Sequence, residues 1–177
     1  MDTSLRAFAD DLEAHVDEGR DAGHFIDRVG TYFVGRRHQL RQLAPWLDSA
    51  ADGGICVVTD DPGSGKSALL GAIVCAAHPV LCAALPQVSG RLEALDPEGG
   101  PSPNENLAAV HARQRGIDEV LTSLGRQLGL TSRAGGAIPA DFVHEVRLLA
   151  EAPALVIDAL DDAGDPVGIA TLVLQEP

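Results

Sequence analysis

The stretch "ICVVTDDPGSGKSALLGAIV", residues 55–74, restricts this chain more than any other feature. Its β-branched and apolar start, "ICVVT", reads as a buried strand. A glycine-rich loop follows, and then Leu69, Leu70, Ile73, Val74 and Ala77 mark a helix that Pro79 stops. The loop aligns with the pattern G-x-x-x-x-G-K-[ST] through Asp60, Asp61, Pro62, Gly63, Ser64, Gly65, Lys66 and Ser67, and every position but Asp60 fits. Such a loop needs Gly63 and Gly65 so that its N–H groups can turn inward to an anion, which the positive end of the helix also attracts. Lys66 would then reach the outer phosphates of a bound chain, and the Ser67 hydroxyl would ligate Mg2+.

The charge composition sharpens this reading. Of the 13 basic residues, Lys66 is the only lysine, so a chain that otherwise uses arginine places its one compact ammonium directly after "GSG". The formal net charge of −13 argues against a basic stripe for nucleic acid or an anionic membrane surface. The apolar runs are too short for a membrane span, and the acidic start "MDTSLRAFADDLEAHVDEG" is unlike a secretory signal. A cytoplasmic protein with neither nucleic-acid nor membrane partners is expected. Cys56, Cys75 and Cys82 form no C-x-x-C pair and read as small buried residues.

Along the chain, Leu5, Phe8, Leu12 and Val16 predict a helix over 4–18 with Gly19 as its stop, and Leu40, Leu43 and Leu47 predict another over 36–48. After a Pro/Gly-rich loop, "DPEGGPSPNEN", the run "LAAVHA" predicts a second buried strand. A helix over 117–129 should end at Gly129, Pro139 should open the next, and Pro153 should introduce the strand "ALVID". Strands alternating with helices of this length predict an α/β fold, a mostly parallel sheet with helices on both faces. The organisation expected is an N-terminal helical segment over 1–31 and a nucleotide-binding domain over 32–177, lying in a three-layer P-loop fold.

Asp60 stands where the loop pattern has its first glycine. Aspartate tolerates turn conformations, so the loop should still form, but the carboxylates of Asp60 and Asp61 would each repel a solvated polyphosphate by about 1 kcal/mol. Weakened binding that Asp60→Gly tightens is the expectation. The second acidic element is "PALVIDALDD": an apolar strand ends in Asp158, at the sheet edge where ligands bind in open α/β folds. Asp158 would hold Mg2+ through water, and Asp161 or Asp162 would orient or deprotonate an attacking water.

With both elements in hand, residues 32–171 resemble the signal-transduction ATPases with numerous domains, the STAND class that includes NACHT and apoptotic-ATPase modules. "YFVGRRHQL" resembles the motif that opens their nucleotide domain beside the adenine: Val34, Gly35 and Arg36 match, and Arg37 replaces the usual acid. "VVTDDPGSGKSALLGAI" resembles the phosphate loop, implying contacts from Asp61 through Ala68, and "ALVIDALDDA" resembles the magnesium strand. The resemblance implies ATP or ADP with Mg2+, effector and sensor modules as partners, and a nucleotide-dependent oligomer. Lys66, Asp161 and Asp162 would be catalytic, although Asp162 is one methylene shorter than the family's usual glutamate.

Residues 148–177 contain no Arg, Lys or His, so no arginine finger comes from that end, and slow or no hydrolysis is expected of a fragment that stops after the magnesium strand. Two rivals stand beside the switch. One is a nucleotide-independent interaction module with a degenerate loop; the other is a small phosphotransferase, disfavoured because such enzymes close an arginine-bearing lid over the phosphates.

Overall fold

The structure, a computed structural model, describes residues 18–29, 36–49, 54–87, 90, 100–130 and 139–173. The expected helix over 4–18 lies outside these residues but for Glu18, as do Val34 and Gly35. Two compact units divide the chain between Glu105 and Asn106.

The first unit is helical among its described residues: α1 (Glu18–Val29), α2 (Arg37–Asp48), α3 (Lys66–Ala77) and α4 (Pro79–Ala84). Leu69 and every residue from Gly71 to Ala77 of α3 are buried, the mark of a helix enclosed all round. Helix α1 packs on it through Phe25 and Val29, one turn apart and both buried. The crossing is closest at Gly71, where a Cβ would come within 2.8 Å of the Phe25 carbonyl oxygen and 3.2 Å of Val29 Cγ2. Glycine there costs helix propensity of about 1 kcal/mol and is kept because a larger residue would push the helices apart. Leu40, Ala44 and Leu47 of α2 are buried as the periodicity predicts. Pro79 ends α3 as expected and also opens α4, where its missing N–H is no loss.

Two expectations fail in this unit. Helix α1 runs through Gly19, so that glycine is no stop: burial of Phe25 and Val29 against α3 outweighs the weak local preference. Residues 54–61 form no strand, and Ile55 and Val57 are 50% and 74% exposed. A strand requires a neighbour for its ladder, and no such pairing is made to this run among the described residues.

The second unit is built on two parallel strands, β1 (Leu107–His111) and β2 (Ala154–Asp158), in a register running from Leu107 opposite Ala154 to His111 opposite Asp158. With the helices this is an α/β chain. Between the strands run α5 (Ile117–Gln127) and α6 (Pro139–Arg147), and α7 (Pro166–Val173) follows β2. Ala108, Val110, Val120, Leu121, Leu124, Phe142 and Ile169 form the core beside the sheet. Gly129, at φ 67°, ends α5 as predicted, while the Leu130 N–H reaches back to the Gly125 carbonyl at 2.8 Å. The Gln127 side chain pairs with the outer edge of β1. Its Oε1 accepts from the Ala109 N–H and its Nε2 donates to the Ala109 carbonyl, both at 2.9 Å, as a neighbouring strand would.

Candidate functional site

Chain geometry brings the predicted loop residues together in the first unit. Pro62 and Gly63 form the turn, Gly63 and Gly65 take φ of 79° and 93°, and the Ser64 N–H closes on the Asp61 carbonyl at 3.1 Å. Both positive φ angles fall where glycine alone is unstrained, which is why the sequence spends glycines here. Lys66 opens α3, followed by the half-buried Ser67 and Ala68. The Lys66 ammonium folds back onto the loop, donating to the carbonyls of Asp60 at 2.7 Å and Asp61 at 3.1 Å. Two neutral carbonyls hold it in place, with no carboxylate in ion-pair range among the described residues.

Arg36 is the residue whose position the sequence did not disclose. Its guanidinium donates to the Ser64 carbonyl and lies 3.6 Å from the Asp60 carboxylate, so it reaches both ends of the loop. Its backbone sits in the left-handed region, at φ 57° and ψ 26°, directly before α2. That is the position where a short polar side chain would cap the helix, and Arg36 makes no side-chain cap. The Asp60 carboxyl is held below its ordinary value mainly by the Asp61 N–H at 2.9 Å and then by the neighbouring Ser64; Arg36 and Lys66 each contribute less than the opposing desolvation. Asp60 is therefore a carboxylate at neutral pH.

In the second unit, β2 delivers Asp158 to the strand end, 4% exposed. Directly opposite in the register is His111, whose Nδ1 lies 3.4 Å from the Asp158 carboxylate, a contact that spacing in the sequence does not reveal. Ala159 then turns left-handed at φ 54°, starting a tight turn over Leu160–Asp162. Asp161 and Asp162 are exposed. The Asp162 carbonyl accepts from the Gln114 N–H at 2.8 Å, and its carboxylate lies 3.6 Å from Arg113 Nε. Both members of that pair are open to solvent, so the contact is worth at most about 1 kcal/mol.

The cysteines divide. Cys75 is buried and its thiol is pushed up to about 12 by burial, and Cys82 is half-buried, whereas Cys56 is exposed, against expectation, because its run joins no strand among the described residues. Among the described residues no helix is long and apolar enough to cross a membrane. Compared with protein families, with curated proteins and with solved structures, the chain shows no match.

Proposed function

We propose that this chain is the core of a regulatory ATPase that binds ATP or ADP with Mg2+ through residues 61–68, within a three-layer P-loop architecture. The carrying observation is the loop itself: two glycines at positive φ and a lone lysine whose ammonium rests on uncharged carbonyls. An ammonium so placed exchanges two neutral acceptors for phosphate oxygens, and charge-assisted hydrogen bonds are roughly twice as strong. Hard oxygen ligands are what magnesium takes. In the first unit the Ser67 hydroxyl would hold the ion, which when bound neutralises phosphate charge; in the second unit the Asp158 carboxylate is a ligand of the same kind. Asp161 or Asp162 would orient a water, and both are exposed enough to reach one. Val34, Gly35 and Arg36 would border the nucleotide, with effector and sensor modules and further copies of the chain as partners in a cytoplasmic switch.

Calorimetric titration with ATP and with ADP, each with magnesium, tests the reading. Lys66→Ala should weaken binding by about tenfold or more, the worth of a charged hydrogen bond. Trp46, half-buried in α2, offers a fluorescence readout of the same event. The absence of heat and of thermal stabilisation at millimolar nucleotide would select the interaction module instead. That rival draws its support from the exposed run 54–61, since a phosphate loop ordinarily hangs from a strand in a sheet.

A further inference from the structure

The loop carries two carboxylates, Asp60 and Asp61, and two cations, Lys66 and Arg36, and one of these cations is placed at the expense of local preference. Arg36 takes a left-handed backbone and leaves α2 without a side-chain cap. One residue breaking two local rules needs a compensating contact, and among the described residues its contacts of that kind are the Asp60 carboxylate and the Ser64 carbonyl. The guanidinium fork suits this task because it can serve two acceptors at once, which a lysine ammonium at the end of a flexible stem does less well.

We infer that Arg36 and Asp60 act as one unit that sets the affinity of the loop for a phosphate chain: Asp60 anchors the guanidinium at the loop, and the guanidinium cancels the charge that replaced glycine. Asp60 is then a positioning residue and no mere defect. The inference rests on the phosphate-binding reading of the loop and adds to it which residue makes an acidic loop tolerable to an anion. Without Arg36 the loop would present a net negative charge to its ligand. Without Asp60 the repulsion disappears, but so does the group that keeps the second cation in place, and the two losses offset.

A double-mutant cycle on the full chain tests this, with magnesium-ADP and inorganic pyrophosphate as probes; pyrophosphate isolates the phosphate contribution from that of the base. Arg36→Ala should weaken both probes about tenfold, and Arg36→Lys should recover part of that loss. Asp60→Gly should change affinity less than about threefold in the native background and should restore about tenfold in the Arg36→Ala background, a strongly non-additive cycle. Tightening by the same factor in either background, as an isolated carboxylate would give, overturns the inference. Should Arg36→Ala fail to fold, Arg36→Lys and Asp60→Asn carry the same cycle, judged by the same non-additivity. Binding in Asp60→Gly but none in the native chain also overturns the inference while leaving the phosphate loop standing. No binding in any variant removes the phosphate-binding reading and the inference together.

Discussion

The runs "ICVVTD" and "ALVID" are near twins in composition, each a string of apolar residues closing on an aspartate, yet they end in opposite states. Residues 154–158 form β2, paired with β1 along the whole register, with Ala154, Val156 and Asp158 buried. Residues 55–60 form no strand and pair with none among the described residues, with Ile55, Cys56 and Val57 exposed. What separates them is supply of a partner. Residues 107–111 lie beside one run and answer its peptide groups, and the core from α5 and α6 covers the pair. Propensity for the pleated state is thus a readiness that a neighbouring chain must redeem, and the first unit organises itself around the enclosed helix α3 instead.

That contrast can be broken most directly by placing a charge in each run. Val156→Asp buries an unpaired carboxylate at a position 8% exposed and should cost about 3–5 kcal/mol, whereas Val57→Asp should stay within about 0.5 kcal/mol. Urea unfolding followed by circular dichroism measures both. Comparable losses would mean that residues 55–60 are in fact as enclosed as β2.

Helix packing in place of a sheet predicts a second, smaller effect. Gly71→Ala drives a methyl into the Phe25 carbonyl and should destabilise by about 1–3 kcal/mol. Gly23→Ala in the partner helix meets nothing within 4 Å and should add up to about 1 kcal/mol. Two glycines changing stability in opposite directions would sharpen the view that α1 and α3 organise this unit; equal effects would refute it. Smallest is Ala159→Gly at the end of β2. Relief of the left-handed strain, less the entropy lost by glycine, should stabilise by about 1 kcal/mol or less, read as a rise in thermal midpoint.

Elements whose signal is local were legible in advance. Helices α2, α3, α5 and α6 follow their apolar spacing and their Pro and Gly boundaries, and β1 and β2 follow their unbroken apolar runs. Helix α1 was not, because Gly19, Gly23 and a cluster of charged residues mask a face that only packing on α3 completes. The run before the glycine-rich loop misled because its composition is that of a strand, and pairing is not written in composition. The turn at Gly63 and Gly65 and the strand-end place of Asp158 could be read from pattern alone. The Arg36 contact to Asp60 and the His111 contact to Asp158 join residues far apart in the chain, and nothing in either local sequence announces its partner.

The amide of Gln127 has an effect on how the second unit could extend. By taking up the outward N–H and carbonyl of Ala109, a single side chain occupies the middle of one margin of the ladder and obstructs recruitment there. Among the described residues the freer margin of this ribbon is alongside β2, where the outward peptide groups belong to Leu155 and Ile157.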